Sequence, residues 1–499
     1  MRVLIVHHGR LPHADAPVRG GALRARQHAR ALAAAGHEVH LLARAQDGPG
    51  GFATGVELHL RARGLRPDAV LCVQPEEAYA LAGLGCPVIV DLYAPRLLEA
   101  PFEGKLEAEL PALLRAFDVG DVFLASSPQA ALHWTGPLAL AGLDLRRTPL
   151  LVVPIAAPQP GDGLLDADLV DGAPEAAAPL IVGGGAAWPW QDPTPGLGLA
   201  LYALDAHGGG ELRWYGALPP LPDEIRAHPR FVAAGWLPYP ALLRAWAPAW
   251  LALDLWAPNP ERALASGFRH ADQLGLGLPV LTGADTALAA LVGPAGAGLA
   301  SGDPAADLRR LLEDGALRAT LRAGARALAR GPLHPSAAAA PLLRWLEAPS
   351  RHPRGRSALL DAARLSARAA EAEARAEAAA GAAARAEADA VRTREQLAQA
   401  QAQVHELLGT TGRMARALDE VAGFKREAVA LLGGQSEHAR RAEQDAVREI
   451  GLLRADIEKK NAEIAALDEL RGRLEADNRG LRAEILSLRQ RKGLFLGGA

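Results

Sequence analysis

In the stretch from Asn259 to Thr282, NPERALASGFRHADQLGLGLPVLT, Glu261, Arg262, Arg269 and Asp272 fall within twelve positions. A charged loop, a helix, a tight turn and a buried strand are expected here. The charges precede Leu274, Leu276 and Leu278, which lead through Pro279 into Val280-Leu281. In an open α/β sheet, ligands lie beyond the carboxyl ends of strands and beside helix N-termini. A carboxylate there can hold ribose hydroxyls, and an arginine can neutralise a pyrophosphate. A solvated helix face would use the same residue types, so the elements around the stretch must decide.

Those elements begin with an apolar strand at Arg2–His7, the loop HGRLPHADAPVRGG, an amphipathic helix from Ala22 to about Ala35 and a strand at Glu38–Ala43. This β-loop-α-β opening is Rossmann-like, a helical crossover joining parallel strands. Gly20 and Gly21 precede the helix, where glycine lets backbone N–H groups approach a ligand. The pattern is not GxGxxG, so a dinucleotide is not indicated. Further strands are expected at Ala69–Val73, Pro87–Tyr93, Val122–Ala125 and Leu150–Pro154, with helices at about Glu76–Leu84, Leu106–Phe117 and Pro128–Leu140. Adjacent His7 and His8 point to opposite faces of a strand and do not suit one metal ion.

From Ile155 to Ala177 the chain is rich in Pro, Gly and Asp, as a linker would be. A second Rossmann-like unit starts at Leu180-Ile181-Val182, and Gly183-Gly184-Gly185 then leads through AAWPWQDP into a helix started by Pro193 or Pro195. Three glycines between a strand and a helix N-terminus form a candidate phosphate cradle. Strands are expected at Leu212–Tyr215 and Trp250–Trp256, with Phe231–Pro238 between them. Seven of the nine tryptophans fall between Trp188 and Trp256. Trp188 and Trp190 are the ones placed to touch a ligand, the others being packing residues. Ser301-Gly302-Asp303 reads as an N-cap region, and a last helix at about Pro335–Leu346 would return to the first domain.

A net charge of −3 gives no electrostatic case for nucleic acid or an anionic membrane. The start of the chain is too short an apolar run for a signal peptide, and no uncharged stretch is long enough to span a bilayer. Cys72 and Cys86 lie in apolar segments and read as reduced core residues of a cytoplasmic protein. Beyond Pro353 the composition becomes Ala, Glu, Arg and Leu, that of a long helix. Residues 450–488 hold a heptad register with Ile450, Ile457, Ile464 and Ile485 at a, and Leu453, Leu467, Leu474, Leu481 and Leu488 at d. Isoleucine at a, leucine at d and one buried Asn478 favour a parallel two-stranded coil. The organisation expected is an N-terminal Rossmann-like domain at 1–160, a second at 175–350, and a helical stalk with coiled coil at 355–492.

The opening loop and helix, the stretch GGGAAWPWQDP, the turn Gly277-Leu278-Pro279-Val280 and the acid at Asp272 together resemble retaining GT-B glycosyltransferases of family four, over about Arg2 to Leu346. The family's first donor-site acid falls on Leu264 here. Some subgroups carry an acid slightly earlier and an arginine before the helix core, as Glu261 and Arg269 do. The histidine many members place after the third strand is Gln74, and no lysine stands at the phosphate site, leaving Arg262 or Arg269 to supply that charge.

The resemblance implies an α/β fold of two facing Rossmann-like domains and a metal-independent, cofactor-free transfer of a sugar from a nucleotide diphosphate to a glycan or lipid-linked acceptor. It makes Glu261 and Arg269 catalytic and puts Gly184, Gly185, Trp190, Gln191, Asp192, Arg262 and Asp272 on the donor. Gly20, Gly21, Gln74 and Asp91 would face the acceptor. Bacterial surface glycan synthesis, in the cytoplasm or peripherally at the inner face of the membrane, follows by association. A degenerate transferase fold kept as a scaffold and dimerised by its coil is the alternative. A nucleotide-sugar epimerase is a weaker one.

Overall fold

The computed structural model describes residues 1–9, 18–44, 50–160, 173–186 and 188–351, with Leu169 and single positions between 359 and 402. The first sheet contains β1 (Arg2–His7), β2 (Glu38–Arg44), β3 (Gly51–Phe52), β4 (Ala69–Cys72), β5 (Val88–Asp91), β6 (Val122–Ala125) and β7 (Leu150–Val152). Its order is β3-β2-β1-β4-β5-β6-β7, and every pair is parallel. The second contains β8 (Leu180–Gly185), β9 (Glu211–Gly216), β10 (Phe231–Gly235), β11 (Leu251–Asp254), β12 (Val280–Gly283) and β13 (Gly298–Ser301). Its order is β10-β9-β8-β11-β12-β13, again parallel throughout. Counted from its own first strand, each sheet opens 3-2-1-4-5-6, the order of a doubly wound Rossmann-like sheet. The order reverses between β1 and β4 and between β8 and β11, and those two crevices are where such a fold can hold a ligand.

The strands form because both faces of each sheet are covered. Leu4 and Val6 enter one core cluster while Val3 and Ile5 enter the other, which is the two-residue alternation of a strand between helical layers. Helices start where side chains satisfy orphan N–H groups: Ser127 accepts from the amide of Ala130, Asp303 from Ala306 and Asp314 from Leu317. The helix Pro335–Glu347 returns to the first lobe as expected, burying Leu342 and Leu346 with Val3, Ile5 and Leu32.

Four elements differ from expectation. Strand β3 is only two residues long, too short to carry a periodic signal. Strand β13 was not expected from the sequence; Gly298 is required there because a Cβ would lie 2.2 Å from the Val280 carbonyl oxygen. The helix Gly55–Leu65 went unread, and the expected helix at Glu76–Leu84 is a 3-10 turn at Pro75–Leu81.

The chain divides after Ala363. Each described position between 359 and 402 is helical. The heptads at 450–488, and the parallel dimer they imply, lie outside the described residues. Among the described residues no helix is long and apolar enough to cross a membrane.

Candidate functional site

At the β8/β11 crevice the second lobe offers backbone almost without side chains. Gly184 and Gly185 have φ of 147° and 136°, and Gly216 on the neighbouring strand has 105°, conformations that exclude L side chains. A Cβ on Gly184 would lie 1.9 Å from the Tyr215 carbonyl oxygen, and one on Gly185 would lie 3.2 Å from Arg269 Nη1. The glycines therefore bring the Arg269 guanidinium directly against the end of β8.

Beside them Asp254, the last residue of β11, is a buried hub. Its carboxylate accepts from Arg262 Nη2, from Arg269 Nη2 at 3.1 Å, from Trp256 Nε1 at 2.8 Å and from Thr282 Oγ1 at 3.1 Å, with His270 Nε2 at 2.8 Å. Burial alone would raise its pKa, but Arg262, then His270 and Arg269, hold it well below the usual carboxylate range. Burial pulls His270 down to about 4 despite the Asp254 carboxylate, so this imidazole is neutral at pH 7. Both guanidiniums also lie over the Trp256 ring, at 5.6 and 4.9 Å from its centroid. Two guanidiniums, buried Arg262 and half-buried Arg269, thus share one carboxylate. Arg262 is 5% exposed, and its Nε has no hydrogen-bond partner among the described residues.

Glu261 is 3% exposed and carries an unpartnered Oε2. Its pKa is raised by burial, with Arg262 and Arg269 opposing. The side chains of Trp190 and Gln191 come close enough to lower it somewhat, yet Trp190 Nε1 and Gln191 Oε1 complete no hydrogen bond among the described residues. Asn259 fixes this corner: its Nδ2 donates to the Trp190 carbonyl at 2.5 Å and its Oδ1 accepts from the Glu261 amide at 2.8 Å. Asp192 is exposed and accepts from the Thr194 amide at 2.9 Å, at the start of the Thr194–His207 helix. Facing Glu261 from the first lobe is Glu99, half-buried, pushed up to about 7 by burial and then by the Glu261 charge.

The first lobe meets this corner through strand ends. Phe268 packs edge-on against Tyr93 with centroids 5.5 Å apart. Ser127 Oγ donates to the Leu264 carbonyl at 3.2 Å, and Phe102 lies 6.3 Å from Trp190. Gly20 is glycine because Phe268 fills the space: a Cβ there would lie 2.3 Å from the Phe268 ring. Gly21 faces His7, Tyr93 and the amide of Gln74, whose Oε1 is 3.6 Å from a would-be Cβ. Gln74 therefore does line the β1/β4 crevice.

Two expected contact residues face inward. Asp91, placed on the acceptor side from sequence, is 1% exposed; Arg24 Nε donates to it at 2.7 Å and His28 Nε2 lies at 2.7 Å. Arg24 in turn donates to the Val153 and Pro154 carbonyls at 2.7 and 2.8 Å, so this carboxylate clasps the helix Gly20–Ala34 to the end of β7. Asp272, placed on the donor ribose, is 4% exposed and accepts from the Tyr239 hydroxyl at 2.6 Å. Burial pushes it up to about 7, with the Tyr239 hydrogen bond opposing.

A cavity of about 260 Å³ runs between the lobes, lined by Ser127, Gln129 and Ile155 on one side and by Gly267, His270 and Leu291 on the other. A broader depression of about 1250 Å³, at Arg63, Asp68, Cys86 and Pro349, sits at the amino ends of β4 and β5, where this fold does not place ligands.

Sequence reasoning missed Asp254, Glu99, Phe102 and Phe268. Only Asp254 left a signal, an acid ending an otherwise apolar strand at its carboxyl end.

The chain matches no family model and no curated protein. Among solved structures it is similar to a proposed UDP-N-acetylglucosamine 2-epimerase from Listeria monocytogenes, at 16% identity over 69% of this chain and 95% of that one, TM-score 0.43. An E. coli trehalose-6-phosphate structure bound with UDP-2-fluoro glucose is 12% identical over 70% of this chain and all (100%) of that one, TM-score 0.47. A Thermobaculum terrenum O-GlcNAc transferase mutant is 15% identical over 69% and 66%, TM-score 0.45. At TM-scores below 0.5 these likenesses carry no functional argument.

Proposed function

We propose that this chain is a glycosyltransferase that moves a sugar from a nucleotide diphosphate to an acceptor in the crevice between its two lobes. One observation carries the reading: two guanidiniums, buried Arg262 and half-buried Arg269, share the Asp254 carboxylate beside a glycine-only strand end. Arg262 and Arg269 both bond Asp254, and Arg262 Nε has no partner among the described residues, so the pair has donors left for an anion. A diphosphate fits, because guanidiniums bind phosphate oxygens bidentately and stabilise the charge that develops on a leaving diphosphate. Gly184 and Gly185 let the backbone approach it, and Glu261 sits where the adjoining sugar would lie.

Retention and metal independence come from the resemblance to family four; in that reading the arginines do the work a cation would otherwise do. Glu261, its carboxyl held above the ordinary range by burial, accepts a hydrogen bond from a sugar hydroxyl when ionised and donates one when protonated. A role in bacterial surface glycan synthesis, with the predicted coil pairing two copies, completes the proposal. The second reading, a scaffold that has lost transfer, is favoured by the inward turn of Asp91 and Asp272. Calorimetry with UDP-, GDP-, ADP- and dTDP-sugars separates the two. The transferase binds at least one and slowly hydrolyses it; the scaffold binds none.

A further inference from the structure

Outward from Glu261 the site changes character. Trp188 and Trp190 stack nearly parallel, with centroids 5.1 Å apart and 12° between planes. Trp190 is 7% exposed, whereas Trp188 is 44% exposed, so one face of the pair is covered and the other lies open. Phe102, 52% exposed, joins them from the other lobe. Large aromatic side chains left this open at the mouth of a crevice, on both lobes at once, forgo burial that would otherwise stabilise the fold.

Next to the rings lie three polar atoms that the described residues leave unpartnered: Glu261 Oε2, Gln191 Oε1 and Trp190 Nε1, on side chains 3%, 9% and 7% exposed. Buried unpaired polar atoms are costly, and a ligand bearing both donors and acceptors would satisfy them. A pyranose matches both halves of this surface. Its axial C–H face stacks on an aromatic ring while its equatorial hydroxyls reach carboxylate, amide and indole N–H groups.

We propose that Trp188, Trp190 and Phe102 form a ledge that seats a carbohydrate acceptor, with Gln191 reading its hydroxyls and Glu261 at the junction between it and the donor sugar. The word acceptor rests on the transferase reading; the ledge as a carbohydrate site does not. The groups run in the order such a reaction needs. The arginine pair for the diphosphate adjoins Glu261, Glu261 adjoins Trp190 and Gln191, and those adjoin the open rings. Phe102 comes from the first lobe, so the ledge is complete only when the lobes are together.

The test titrates the full chain with maltotriose, cellotriose, chitotriose and mannotriose, read by tryptophan emission, and with UDP by calorimetry. Trp188→Ala and Phe102→Ala are the variants, both exposed positions whose loss leaves the core intact. At least one trisaccharide should give a saturable shift that either variant weakens about tenfold while UDP affinity is unchanged. The ledge is overturned by the absence of a saturable response to any of the four, or by variants that bind trisaccharide as tightly as the parent. It is also overturned if Trp188→Ala weakens UDP and spares trisaccharide, which would make Trp188 a nucleobase platform. Trisaccharide binding without nucleotide binding would instead sink the transferase reading and leave the ledge standing.

Discussion

Replacing Asp272 with asparagine separates two roles for the acid at the centre of the predicted donor motif. In the fold Asp272 is buried against Tyr239, whose hydroxyl donates to it at 2.6 Å. Burial raises its pKa from 3.8 to about 7, the Tyr239 bond offsetting only part of that. The folded value lies above the unfolded one. The stabilising contribution is therefore full below about pH 4 and is lost as pH rises through about 7. At ~1.4 kcal/mol per pH unit, the ionised carboxylate costs about 4 kcal/mol by pH 8 relative to pH 3. Asparagine keeps an oxygen for Tyr239 and does not titrate. Urea unfolding of Asp272→Asn and the parent, followed by tryptophan emission between pH 4 and 8, should show a stability difference that grows in favour of the variant and levels off above pH 7. A difference that stays flat with pH, with nucleotide affinity lost in the variant, would refute the reasoning and return Asp272 to the ribose.

Asp254→Asn should cost ~3–5 kcal/mol, since it removes the carboxylate that buried Arg262 and half-buried Arg269 both bond, and added pyrophosphate should restore part of the melting temperature. In the parent, the folded pKa of Asp254 is depressed, so its contribution is present above the unfolded value and is lost on acidification. Gly20→Ala pushes into the Phe268 ring and should destabilise by ~1–3 kcal/mol, with Phe268→Leu recovering part of the loss in a double-mutant cycle. Glu261→Gln removes the like charge facing Glu99, so carboxyl NMR titration should find Glu99 lowered from about 7 in that variant.

What could be read from the sequence follows the range of each interaction. Strand β6 and the helix Pro128–Leu140 were located to the residue, because an apolar run and a Ser-Pro cap are local signals. The doubly wound character of both lobes followed from alternation of such elements. The direction in which a side chain faces was not readable. Asp272 meets Tyr239 thirty-three positions away and Asp91 meets Arg24 sixty-seven away, and nothing in either neighbourhood distinguishes an acid that touches ligand from one that clasps the core. Arg262 and Arg269 were found as cations near a phosphate site; Asp254 showed as an acid ending an apolar strand, but that it holds both arginines became visible only when β11 was laid beside β8 and β12.

In the proposed function the Arg262–Arg269 pair grips the diphosphate of an activated sugar. Calorimetric titration of the full chain with nucleotide-diphosphate sugars, repeated on Arg269→Ala, tests it most directly. The account predicts saturable, enthalpy-releasing binding of at least one donor and a loss of at least tenfold in affinity, ~1.4 kcal/mol or more, in the variant. Binding of equal strength in both proteins, or no binding to any donor, would contradict it.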